Sequence, residues 1–124
     1  MKKKILIIDD TKEIHDCLRM ALEYEDYDVS SAMNGQDAIN ILTGLDEKSL
    51  PDLILLDLMM PIMDGYQFLD KMGGPDNAKF KKIPIIVMSA KADVVFSGPN
   101  FPTARLKKPM TLDELFGSIK KNLR

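Results

Sequence analysis

Asp9 and Asp10 follow Ile5-Leu6-Ile7-Ile8 directly, and Asp57 follows Leu53-Ile54-Leu55-Leu56 in the same way. Ser89 closes the run Ile85-Ile86-Val87-Met88, and Lys108 stands before Pro109 at the end of a weaker stretch, Arg105 to Lys107. If these runs are adjacent strands, three carboxylates, a hydroxyl and an ammonium meet at one edge. Carboxylates brought that close raise each other's pKa unless a cation joins them. Mg²⁺ suits the place, because it takes oxygen ligands, keeps several waters and commonly uses few carboxylates plus a phosphate. No His/Cys cluster exists to bind zinc, since the chain has one histidine and one cysteine. Beside such a cation Asp57 stays ionised and can attack phosphorus as a carboxylate nucleophile. Lys108 would hold a phosphoryl oxygen as a point charge, and Ser89 would donate a hydrogen bond to another. Little more is needed, because phosphoryl transfer is mainly positioning and charge neutralisation. Taken singly, an aspartate after a strand is usually a cap or turn residue; four polar groups at four strand ends carry the reading.

The elements that must position these groups are legible as alternating patterns. Continuous apolar runs at Ile5–Ile8, Leu53–Leu56 and Ile85–Met88, with a weaker one around Val29, read as strands buried on both faces of a parallel sheet. A fifth strand is expected at Arg105 to Lys107. Ile14, Cys17, Leu18, Ala21 and Leu22 recur on one helix face, with Asp10 or Thr11 as cap and Glu13 completing a box. Ala38, Ile39, Ile41 and Leu42 give a second helix entered through Asn34-Gly35. A third follows Asp64, with Gln67 at box spacing, and stops at Gly73-Gly74-Pro75. The last begins at Thr111, with Glu114 three residues on, and is expected to bury Leu112, Leu115, Phe116, Ile119 and Leu123. Strand and helix alternate, which implies βαβ units and right-handed crossovers in one α/β domain over residues 1–124. In such sheets functional groups gather beyond the carboxyl ends of the strands, where the acids lie.

Composition narrows the function. A chain of 124 residues suits one domain with a real core. A formal charge of -2 argues against broad, nonspecific nucleic-acid binding, which relies on an excess of Lys and Arg. The single cysteine, Cys17, allows no intrachain disulfide and fits a reducing compartment. Lys2-Lys3-Lys4 before four apolar residues is too short and too soon acidic for an export signal. No apolar stretch reaches the roughly 20 residues that span a bilayer. The expected setting is cytoplasmic, with no membrane and no direct nucleic-acid partner.

With these residues in view, the chain resembles the receiver domains of two-component response regulators, from Lys4 to about Leu123. The strongest stretch is Pro51-Asp52-Leu53-Ile54-Leu55-Leu56-Asp57-Leu58-Met59-Met60-Pro61-Ile62-Met63-Asp64-Gly65. Ile7-Ile8-Asp9-Asp10, Met88-Ser89-Ala90 and Lys107-Lys108-Pro109 follow the family's order. The resemblance implies a flavodoxin-like three-layer sandwich, its five parallel strands ordered 2-1-3-4-5. It implies that Asp57 is the phosphoacceptor, with Asp10 and Asp57 binding Mg²⁺ directly, Asp9 through water, and the Met59 carbonyl adding an oxygen. Ser89 matches the hydroxyl that turns toward the phosphoryl group, and Lys108 the family's lysine, its bond to Pro109 expected cis. The donor would be a phosphohistidine on a sensor histidine kinase or phosphotransfer protein, or a small acyl phosphate. The output would be contact with a downstream protein. The chain's only reactions would be its own aspartyl phosphorylation and dephosphorylation.

Two departures stand out. Arg105 occupies the place, three before the lysine, where the family usually has an aromatic residue. Between Ser89 and Lys108 the family has a full helix, whereas Gly98, Pro99 and Pro102 forbid a regular one through the middle of this segment, leaving that fourth helix shortened or irregular. Its face is therefore expected not to form the common receiver homodimer, which sedimentation of phosphorylated protein would test.

Other residues have simpler readings. His15 is expected at the surface or boundary of the first helix, and Cys17 in the core. Met59, two after Asp57, and Lys91, two after Ser89, are expected to tune access of hydrolytic water. Two competing functions differ in class. One is a receiver-like interaction module that is never phosphorylated. The other is an enzyme, a phosphatase or nucleotide binder. Against the last, Asp9-Asp10-Thr11 stands where a Gly-rich phosphate loop would follow the first strand, and Leu58-Met59 supplies no second acid two residues beyond Asp57. No output domain fits within 124 residues, so a stand-alone switch is expected.

Overall fold

The computed structural model describes residues 2–60, 62–74, 79–90 and 104–123. The apolar runs form β1 (Lys4–Ile8), β3 (Leu53–Asp57) and β4 (Ile85–Ser89), flanked by β2 (Asp28–Ala32) and β5 (Ala104–Lys107). All pair in parallel, as the apolar runs imply, in the order β2-β1-β3-β4-β5 that the family resemblance implies. The described helices are α1 (Lys12–Tyr24), α2 (Gly35–Thr43), α3 (Gly65–Met72) and, after β5, α4 (Leu112–Asn122), with a 3₁₀ turn at Glu47–Ser49.

Successive strand residues point to opposite faces, so each buried run feeds two cores. Leu6, Ile8, Ile54, Leu56 and Val87 pack with Ala38, Leu42, Phe68 and Met72 of α2 and α3. Ile5, Ile7, Leu53, Leu55, Ile86 and Met88 pack with Leu22, Leu115 and Ile119 of α1 and α4. Helix starts are set by side-chain caps at Asn34, Asp64 and Thr111, the last two with full capping boxes.

Several expectations are corrected. The N-cap of α1 is Thr11, whose side chain makes no cap bond; Glu13 then falls one position short of the box. The buried stripe of α1 runs through His15, Leu18 and Leu22. At 100° per residue Cys17 lies about 130° from the centre of that stripe, so Cys17 is exposed and His15 is 5% exposed. Leu112 in the first turn of α4 and Ile41 on the outer side of α2 are also exposed, at 47% and 36%. β5 begins one residue earlier than expected, at Ala104. The shortened or irregular helix expected between Ser89 and Lys108, and Lys91 itself, lie outside the described residues.

Candidate functional site

Strand register brings the candidate groups together. Ile8 pairs with Leu56, so the next residues, Asp9 and Asp57, leave the sheet side by side. Asp57 pairs with Met88 and Ser89 with Lys107, placing Ser89 and Lys108 one step further along the same edge. The Lys108 N–H donates to the Ser89 carbonyl at 2.7 Å, tying the two chain segments. The Lys108–Pro109 bond is cis.

Asp9 and Asp57 are buried, Asp10 is exposed, and one carboxylate oxygen from each of the three lies within 4.8 Å of the others. Lys108 Nζ is 3.3 Å from Asp9 Oδ2 and 3.4 Å from Asp57 Oδ1. Burial pushes the Asp57 carboxyl above its ordinary range and the charge of Asp9 adds to this, while Lys108 and the Met59 N–H pull it back. An octahedral Mg²⁺ with oxygens about 2.1 Å away separates its ligands by roughly 2.9–4.2 Å. Three carboxylate oxygens gathered within 4.8 Å are compatible with holding such an ion. Met59, two residues beyond Asp57, is exposed.

Backbone packing fixes Asp57 and the loop that follows it. A Cβ on Gly65 would lie 2.7 Å from Leu58 Cα and 2.8 Å from the Asp57 carbonyl oxygen, so only glycine lets α3 start this close to β3. The Gly65 N–H donates to Leu58 O at 3.0 Å, and the Gly35 N–H donates to Met63 O at 3.1 Å. Between these ties Ile62 takes φ 69°, a costly conformation for a β-branched residue that persists where its surroundings over-determine it.

Sequence reasoning missed one residue of this neighbourhood. His15 Nε2 lies 2.7 Å from the Asp9 carbonyl oxygen. The signal was present in the 15–18–22 spacing, but Ile14 and Cys17 offered an equally regular stripe.

The model of the response regulator receiver domain matches residues 5–120. The chain belongs to this family. Its receiver fold superposes on chemotaxis protein CheY4 of Vibrio cholerae with a TM-score of 0.82 at 23% identity, covering 99% of this chain and 100% of that one. The response regulator TrrA of Thermotoga maritima, solved in complex with Mg²⁺ and BeF, matches at TM-score 0.78 and 27% identity over 98% and 99% of the two chains. A sensor histidine kinase receiver domain from Pseudomonas aeruginosa, with magnesium in its active site cleft, matches at TM-score 0.81 and 22% identity over 98% of each chain. This receiver domain thus has the sheet order and the acidic edge anticipated for it. No helix among the described residues is long and apolar enough to cross a membrane.

Proposed function

We propose that this receiver domain is a switch whose Asp57 accepts a phosphoryl group from a phosphohistidine, and which then signals by binding another protein. The observation that carries this is Lys108 Nζ held between the buried carboxylates of Asp9 and Asp57, in a chain of the receiver family. An Asp57 oxygen attacks phosphorus, the P–N bond to the donor imidazole breaks, and the departing nitrogen keeps the electron pair. With a small acyl phosphate the P–O bond breaks instead. Asp9, Asp10 and Asp57 would hold Mg²⁺, with the Met59 carbonyl completing the set; bound there, the ion neutralises charge on the transferring oxygens. Lys108 would leave Asp9 and follow the new phosphoryl charge, and the Ser89 hydroxyl would donate to it. We propose no reaction beyond this self-phosphorylation and its hydrolysis, and a cytoplasmic setting, where kinases draw on ATP. Met59 and Lys91 would set the lifetime of the phosphoryl group through access of water.

The alternative is a binding module with the same pocket that is never phosphorylated; exposed Arg105 at the usual aromatic position favours some change in output. Incubation with acetyl phosphate and Mg²⁺, followed by intact mass, separates the two. One phosphoryl adduct, lost in Asp57→Asn, is expected; a folded, Mg²⁺-loaded chain without adduct supports the passive module.

A further inference from the structure

Asp9 is tethered at nearly every polar atom. Its N–H donates to Ala32 O at 3.1 Å, its Oδ1 accepts from the Thr11 N–H at 2.9 Å, and its Oδ2 faces Lys108. The remaining tether is His15, the only histidine of the chain, which reaches from the first turn of α1 back to the Asp9 carbonyl at 2.7 Å. A carbonyl oxygen only accepts, so Nε2 carries the hydrogen and donates. Nδ1 is buried and has no partner among the described residues, which costs free energy. An apolar side chain would fill the same space without that cost. What imidazole adds here is one aimed donor.

That donor grips the peptide joining Asp9 to Asp10. Asp10 is exposed, so the plane of this peptide has a large part in where its carboxylate points. We propose that His15 is a positioning residue for cation binding, holding the Asp9–Asp10 main chain so that both carboxylates converge with Asp57. This rests on the reading that the pocket takes Mg²⁺.

Calorimetric titration of the folded chain with Mg²⁺ tests it, comparing the parent with His15→Gln and His15→Met. Glutamine keeps an N–H near the position of Nε2, whereas methionine keeps bulk and removes the donor. The expected result is parent-like affinity for Gln and affinity weakened about tenfold for Met, the lower end of what lost ligand-orienting bonds cause. Thermal midpoints in EDTA for the Met variant should be equal to or above the parent's, because the unpartnered nitrogen is gone. Should Met fail to fold, His15→Asn, whose amide falls short of the carbonyl, is expected to weaken binding similarly. Unchanged Mg²⁺ affinity without the donor overturns the inference. A lowered midpoint with unchanged affinity does so too, since it marks a purely structural residue. A parent chain that gives no Mg²⁺ binding overturns the reading of the pocket itself.

Discussion

Lys108 Nζ stands 3.4 Å from Asp57 Oδ1 while holding Asp9 Oδ2 at 3.3 Å. One ammonium therefore balances two buried carboxylates, and a third acid, Asp10, lies at their rim. The balance is incomplete, which makes the pocket responsive to cations and protons.

Replacing Lys108 shows the first response. Lys108→Met leaves Asp9 and Asp57 facing each other without a counter-charge, so metal-free stability falls. Mg²⁺ then meets more uncompensated negative charge, and its affinity rises severalfold. Thermal melts in EDTA and in Mg²⁺ should diverge more in the variant than in the parent; equal divergence would show that the lysine charge does not reach the acids.

Protons give the second. Because the Asp57 carboxyl is raised above its ordinary 3.8 by burial first and by Asp9 second, the folded chain keeps a proton that the unfolded chain has released. The stability linked to that proton is complete below the ordinary value and is lost as pH rises through the folded one. Asp57→Asn removes this loss. In EDTA at neutral pH its thermal midpoint should exceed the parent's by a few degrees, the gap closing as pH drops through the aspartate range.

The same shift makes Mg²⁺ and protons compete. Calorimetric Mg²⁺ affinity should decline on acidification, beginning above the range of an ordinary aspartate, with proton release on binding growing as pH is lowered. A pH-independent affinity down to that range would mean Asp57 does not ligate the ion.

Gly65→Ala tests the packing under the acceptor. The added methyl meets backbone of Leu58 and Asp57, neither of which can rotate away. We expect a stability loss of about 1–3 kcal/mol in a chemical denaturation series, together with slower Asp57 phosphorylation in the fraction still folded.

Cys17 offers a check on the corrected face of α1. Being exposed, it should react with a thiol reagent in native buffer at a rate close to that in denaturant. Strong protection would return it to the core.

Much of this was legible in advance because few forces conflict. Ile5–Ile8, Leu53–Leu56 and Ile85–Met88 are too apolar to be anything but doubly covered strands, and the residue that ends each run must surface at one edge. Parallel pairing then brings Asp9, Asp57, Ser89 and Lys108 together without any long-range guess. Asn34, Asp64 and Thr111 mark helix starts through local bonds alone. The rotation of α1 was not legible. Ile14, Cys17 and Ala21 repeat as regularly as His15, Leu18 and Leu22, and the choice between them is made by packing against the sheet, where Leu22 and Leu18 join the core. Leu112 failed for a related reason: a first-turn residue has no preceding turn to press it onto the sheet, so hydrophobicity does not fix its side.

β3 is flanked by β1 and β4, whereas β5 has a neighbour on one side only. Asp57 thus ends a strand held on both sides, while Lys108 follows a strand held on one. If charge at Asp57 changes, the central strand stays put and the rim strand yields. Under the proposed function, charge gained in the middle of the sheet would be read at its margin, where Arg105 and Lys107 are exposed.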